Sequence, residues 1–166
     1  SNFSESYHLD YYIAAEKWNN IEEILPSCKK ITEMYGMRTD VIFKAEAYVY
    51  EYIYNDYNNA IDSFDKSINS NPGNRYADEQ ISKARCYRKN GNNSKAIELL
   101  DEIIDSELLY RWDANLEYAK IYKGKNNYSK ALIYINNYLE HYKYADTEYT
   151  PVKKAIQLKE ELLKVN

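Results

Sequence analysis

Three segments of the chain share one spacing of turn-forming and apolar residues: NDYNNAIDSF at 55–64, GNNSKAIELL at 91–100 and NNYSKALIYI at 126–135. Each begins with Asn or Gly, has alanine at its sixth position and ends on a large apolar residue. The alanines are 36 and 35 residues apart: Ala60, Ala96 and Ala131. A period of roughly 20–50 residues indicates a stacked array of structural repeats, which usually acts through an extended surface.

Each segment continues as an amphipathic helix. Between Ala96 and Ile104 the apolar residues recur at the i, i+3, i+4 and i+7 spacing of a helix with one apolar face. The Asn, Asp and Gly residues before each segment are typical of turns and helix starts. Further helical patterns precede these turns, at roughly 41–54, 76–90 and 111–124. Alternating strand patterns are absent, so the sequence predicts an all-α fold of helix pairs.

The unit at 77–110 has a small residue within its first helix, an aromatic residue three positions later, a glycine turn, an alanine and a large apolar residue: Ala84, Tyr87, Gly91, Ala96 and Leu100. The unit at 112–144 repeats the pattern with Ala119, Tyr122, Tyr128, Ala131 and Ile135. The unit at 41–74 has Ala47, Asn55-Asp56-Tyr57, Ala60 and Phe64, with Tyr48 at the position of the small residue. In these residues the chain resembles the tetratricopeptide repeat (TPR) family. The resemblance implies an α-α superhelix, a TPR-like solenoid of antiparallel pairs with about nine helices.

The two ends of the chain fit the same scheme more loosely. We interpret residues 1–166 as a single TPR-like domain, with a degenerate repeat at 3–38 and a C-terminal capping helix at 150–165 that starts with Thr150 and Pro151. Pro26 lies within the second helix of the degenerate repeat and is expected to kink or restart it. A longer linker is expected at 36–39, with Thr39 or Asp40 capping the next helix.

Composition limits the function. The net charge is −4, which argues against a nucleic-acid binder, and the apolar runs are too short to span a bilayer. We expect no enzymatic activity, because the sequence has no catalytic or phosphate-binding motif, no metal-ligand spacing and no cofactor signature. Cys28 and Cys86 are interpreted as buried thiols. Localisation stays unknown, with a weak preference for the cytoplasm.

The family resemblance also indicates candidate binding residues. In TPR arrays the positions one and four residues after the small residue of the first helix face the concave groove. These positions are Arg85 and Arg88, Lys120 and Lys123, Val49 and Tyr52, and, in the degenerate repeat, Asp10 and Ile13. The basic residues are expected to hold a carboxylate, from a peptide C-terminus or from acidic side chains, and Val49 and Tyr52 to take apolar anchors. Alternatively, all four basic side chains are simply solvated.

The sequence therefore leaves three functions open. The first is a non-catalytic interaction module that binds a peptide or protein segment, acidic or carboxylate-bearing, in the groove. The second is a structural subunit of a larger assembly, such as a bacterial envelope complex, because the linker NPGNRYADE at 71–79 resembles those of envelope-assembly members of the family. The third is a regulatory domain of a larger protein. Self-association is compatible with each of them.

Overall fold

The computed structural model of the chain describes residues 2–36 and 38–165, with side chains from residue 8 onward; Met37 of the expected linker lies outside the described residues. Nine α-helices occur in these ranges: α1 (Asn2–Ala14), α2 (Trp18–Tyr35), α3 (Thr39–Val49), α4 (Tyr57–Ser70), α5 (Asp78–Lys89), α6 (Asn93–Asp105), α7 (Ala114–Gly124), α8 (Tyr128–His141) and α9 (Thr150–Val165). A π-helical segment (Tyr50–Tyr54) continues α3, and a 3-10 turn (Arg111–Asp113) precedes α7. None of the helices described here combines the length and the apolar character that a membrane span requires.

The contacts divide the chain into two compact units. Unit 1 comprises the residues up to 75 together with 89–91, and unit 2 comprises 76–88 and the residues from 92 onward. The core of unit 1 is formed by buried side chains of α1, α2 and α3: Leu9, Ile21, Leu25, Cys28, Ile42, Ala45 and Val49. Unit 2 has one cluster of α5, α6 and α7 residues and another that joins α7, α8 and α9. The interpretation of residues 1–166 as one domain stays a prediction.

The turn between the two helices of each pair has one recurring backbone feature. In each turn, a residue with positive φ stands directly before the N-cap residue of the second helix. These residues are Glu16 (53°), Asn55 (54°), Gly91 (81°) and Asn126 (57°). In three of the four turns, the following side chain accepts a hydrogen bond from a backbone N–H three residues on, at 3.1 Å: Asp56, Asn92 and Asn127. These are N-caps, which satisfy one of the unpaired N–H groups of a helix start. Lys17, at the same position in the first turn, provides no such cap.

A backbone hydrogen bond across each turn aligns the repeats. The N–H groups of Lys17, Asn92 and Asn127 each donate to the carbonyl five residues earlier, at 2.9 Å, whereas Asp56 donates to Tyr50, six residues earlier. The π-helical segment therefore adds one residue to the first helix of its repeat. The residue three positions before the accepting carbonyl is an alanine in three of the repeats. These alanines, Ala47, Ala84 and Ala119, are therefore equivalent, and all three are fully buried.

Two local expectations differ from the structure. Helix α2 continues through Pro26, so it does not restart there, and the alternative of a kink at Pro26 stays a prediction. Proline removes one backbone hydrogen bond there, but Leu25 and Cys28 on either side of it are buried in the same core, which holds the helix together. The expected cap at Thr39 or Asp40 is also absent, because α3 begins at Thr39 and its N-cap is Arg38 in a left-handed conformation.

We predict that Asn92→Ala lowers the free energy of unfolding by about 1 kcal/mol, since the N–H of Lys95 loses its capping acceptor. Urea unfolding followed by circular dichroism measures the change. Ser94→Ala, an exposed substitution two residues along the same helix, is the control and should change stability by less than about 0.5 kcal/mol. Equal effects of the two substitutions would contradict the capping role of Asn92.

Candidate functional site

A buried carboxylate lies among the basic residues of unit 2. The side chain of Glu117 on α7 is only 4% exposed. Arg88 Nε on α5 donates a hydrogen bond to one of its oxygens at 2.9 Å, and Lys120 Nζ donates to the other at 2.6 Å. Two of the predicted groove residues therefore already hold a carboxylate, which the protein itself supplies.

The charges around Glu117 outweigh the cost of burying it. Burial alone would raise its pKa, but the positive charges of Lys120, Arg88 and Arg85, with the hydrogen bond from Lys120, lower the pKa to about 2. Glu117 is consequently ionised at neutral pH. A buried carboxylate that loses a cationic partner is strongly destabilising, so these three basic residues contribute to the stability of unit 2.

The fourth predicted basic residue forms a different kind of ion pair. Lys123 Nζ on α7 donates to Glu161 Oε2 on α9, and the side chains are 39% and 59% exposed. The hydrogen bond from Lys123 lowers the pKa of Glu161. This pair joins the first helix of the last repeat to the C-terminal helix at the solvent boundary, where ion pairs contribute little to stability.

These side chains border a cleft of about 920 Å³ between α5, α7 and α9. Five cationic side chains line it: Arg88, Lys120, Lys123, Lys154 and Lys164. Glu161 is the one carboxylate among its described lining residues. Apolar contact area comes from Leu116, Tyr128, Leu158 and Val165. The cleft is therefore positively charged, although the whole chain has a net charge of −4.

The cations of the cleft keep hydrogen-bonding capacity toward a ligand. Arg88 uses Nε for its hydrogen bond to Glu117. A guanidinium has five N–H donors and a lysine ammonium three, so one internal bond leaves most of them available. The bond to Glu117 also restricts the orientation of the Arg88 side chain. This arrangement can therefore donate hydrogen bonds to anionic oxygens from a partly fixed geometry.

The two candidate residues of unit 1 serve packing. Val49 is 4% exposed within the core, so its expected position on an accessible face is wrong. The cause is the inserted π-helical residue, which places Tyr48 and Glu51 at the positions equivalent to Arg85 and Arg88. Tyr52 is half-buried, with its ring parallel to that of Trp18 at a centroid distance of 4.4 Å.

Lys89 completes this cluster of unit 1. Its Nζ lies 4.4 Å from the centroid of the Tyr52 ring and 2.9 Å from the fully buried Glu51 carboxylate. Both contacts satisfy groups of the protein itself. Unit 1 therefore has an internal aromatic and ionic cluster around Glu51, the residue whose repeat position is equivalent to that of Arg88 in the cleft of unit 2.

Sequence reasoning missed Glu117 and the charged residues of α9 that line the cleft. Glu117 stands three residues before Lys120, which is the spacing of an ordinary exposed helical ion pair, and its burial depends on Arg88, 29 residues earlier. Lys154 and Lys164 lie on the helix that was interpreted only as a cap. Among the described residues, no three His, Cys, Asp or Glu side chains are grouped so that they could hold a metal ion.

Comparison with known proteins supports the repeat fold. No protein-family model matches the chain, and no curated protein matches it. Solved structures do match, among them two described as nearly identical TPR-like repeats of a putative kinesin light chain from Podosopora anserina, one of which is a single-substitution variant. Their TM-scores are 0.57 and 0.56 at 16% and 15% sequence identity, and each alignment covers 98% of this chain and 85% of the other.

At these identities the likeness shows the fold alone. The prediction of an all-α, TPR-like repeat fold is confirmed.

We predict that Glu117→Gln reduces the acid sensitivity of the protein. Because the folded pKa of about 2 lies below the ordinary value of 4.5, the charge of Glu117 stabilises the folded state above pH 4.5, and this stabilisation is lost as the pH falls from 4.5 to 2. Between pH 7 and pH 3 the native protein should lose about 2 kcal/mol more than the variant, as measured by urea unfolding. The exposed substitution Glu98→Gln is the control. An equal loss in the native protein and in Glu117→Gln would contradict the compensated burial of Glu117.

Proposed function

We propose that the chain is a non-catalytic protein-interaction module whose basic cleft binds an acidic segment of a partner protein. The observation that carries this proposal is the surplus of charge in the cleft. Five cationic side chains and one carboxylate, Glu161, are among the described residues that line it. Charge complementarity of this kind selects partners and speeds their association.

The length of the basic surface favours several acidic side chains over one C-terminal carboxylate. Lys154 and Lys164 are ten residues apart on α9, which corresponds to about 15 Å along a helix. An extended peptide covers about 3.3 Å per residue, so about five residues would lie along this row. A single terminal carboxylate would contact only part of it. We therefore propose an internal acidic run of a partner as the ligand.

The apolar residues of the cleft define a second requirement. Leu116, Leu158 and Val165 line it beside the cations, and Val165 is 56% exposed. Burial of such side chains contributes about 25 cal/mol per Å² of apolar surface. A bulky apolar side chain within or next to the acidic run would therefore increase affinity, whereas acidic side chains alone would bind weakly and in a salt-dependent way.

A structural subunit of a larger assembly is the second candidate. One observation favours it, namely a group of exposed large apolar and aromatic side chains in unit 2. The group consists of Tyr76, Leu109, Tyr110 and Trp112. The rings of Tyr76 and Tyr110 stack at a centroid distance of 5.8 Å. Exposed groups of this kind are typical of interaction surfaces. Sedimentation velocity over a range of concentrations would reveal self-association, and Tyr110→Ser should weaken it if these residues form the contact.

The proposed function predicts a selective loss of acidic-peptide binding on charge reversal in the cleft. Lys123→Glu combined with Lys164→Glu should weaken binding of a fluorescent, C-terminally amidated peptide of six glutamates by about tenfold, as two favourable ion pairs become repulsive. Fluorescence anisotropy at low salt measures the dissociation constant. Arg85 and Lys120 are unsuitable for this test, because both stabilise Glu117 and their reversal would also destabilise the fold.

The matched control is Lys95→Glu combined with Lys143→Glu. It changes the net charge by the same amount, and each of these lysines likewise pairs with a carboxylate, Glu98 and Glu140 respectively, outside the cleft. The proposal fails if both double variants weaken binding equally, or if neither does. If the same peptide with a free C-terminal carboxylate and fewer glutamates binds as tightly, the internal acidic run is wrong and a terminal carboxylate is the ligand.

A further inference from the structure

We infer that Glu161 is a built-in competitor of the cleft, which sets the affinity for acidic ligands by occupying Lys123. This inference rests on the proposed binding of an acidic segment. When no ligand is bound, Lys123 is hydrogen-bonded to Glu161 of the same chain.

The position of Glu161 on α9 supports this role. Gln157, Leu158, Glu161, Lys164 and Val165 all line the cleft, and they follow the i, i+1, i+4, i+7 and i+8 spacing of one helix face. Glu161 therefore stands within the basic row that runs from Lys154 to Lys164. Its carboxylate reaches across to Lys123 on α7 and supplies there the kind of oxygen that an acidic ligand would supply.

The two carboxylates next to the cleft differ in how easily a ligand can displace them. Glu117 is buried and is held by cations of both α5 and α7, so it remains in place. The side chain of Glu161 is 59% exposed and is bonded to Lys123 at the edge of the solvent. Water can replace that bond when Glu161 rotates away, because exposed ion pairs are weak. Glu161 can thus yield Lys123 to a ligand at a small energetic cost.

Two consequences follow for binding. A ligand carboxylate that reaches Lys123 must first displace Glu161, and it also meets the negative charge of Glu161 in the middle of the row. Removing that charge should tighten the binding of an acidic peptide by about two- to fivefold, which corresponds to the strength of one exposed ion pair. Segments with several acidic residues tolerate this competition better than a segment with one, so Glu161 also raises the selectivity for acidic runs.

The test uses the whole chain and the amidated, fluorescent six-glutamate peptide. Glu161→Gln keeps the size of the side chain and removes its charge. Glu160→Gln, on the neighbouring residue of the same helix, makes an identical change of net charge outside the residues that line the cleft. Both substitutions are repeated in a Lys123→Met background, where Glu161 loses the lysine to which it is hydrogen-bonded. Dissociation constants come from fluorescence anisotropy at low salt, with repetition at higher salt to screen long-range effects.

We expect Glu161→Gln to tighten binding about two- to fivefold and Glu160→Gln to change it much less. In the Lys123→Met background the gain from Glu161→Gln should be clearly smaller, because only the repulsion between Glu161 and the ligand is then removed. The inference is overturned if Glu161→Gln leaves the affinity unchanged or weakens it. It is also overturned if Glu160→Gln acts equally, or if the full gain persists without Lys123, since the effect would then be general electrostatics. If none of the proteins binds the peptide, the proposed function itself fails, and that result is distinct from equal binding by native and Glu161→Gln proteins.

Discussion

The structure depends on one backbone constraint, the left-handed residue that precedes the second helix of each pair. It reverses the chain within a few residues, and the cap that follows in three of the four turns satisfies the new helix start. The reversal brings the fully buried alanines of the two helices into one core, where the absence of longer side chains allows close packing. The glutamate at this position in the first turn shows that the conformation is enforced even without glycine or asparagine.

The same constraint sets the position of the basic residues. Once the turn and the buried alanine are in place, the residues one and four positions later are also fixed in direction, which is why Arg88, Lys120 and Lys123 reach the same cleft. Glu117 then adds rigidity. Its buried charge requires cationic neighbours, so Arg88 and Lys120 are held in place before any ligand arrives. A binding surface with restrained cations loses less conformational entropy on binding than one with freely moving side chains.

Much of the fold was predictable from the spacing of Ala60, Ala96 and Ala131 and from the turn residues before them, because these local signals and the helical period agree. The π-helical insertion was not, since the aromatic-rich segment 48–54 fits a helical pattern in more than one register. Because this one inserted residue shifts the register of the helix, the sequence wrongly predicted that Val49 faces the groove. The burial of Glu117 could not be predicted from the sequence either. Amphipathic patterns assign a charged residue to the solvent, and its partner Arg88 lies on another helix. The charged residues that α9 brings to the cleft could not be predicted either. Their position depends on how the helix is rotated about its axis, and its apolar pattern indicates only the buried face.

The central claim is that an acidic segment binds in the cleft between α5, α7 and α9. Backbone amide chemical shifts, followed by NMR while the amidated six-glutamate peptide is added, test it most directly. The account predicts that the largest shifts map to the residues that line the cleft, at 88, 116–128 and 154–165, and that they saturate with one peptide per chain. Shifts that are largest in unit 1, or that spread over every exposed lysine without saturating, would contradict it.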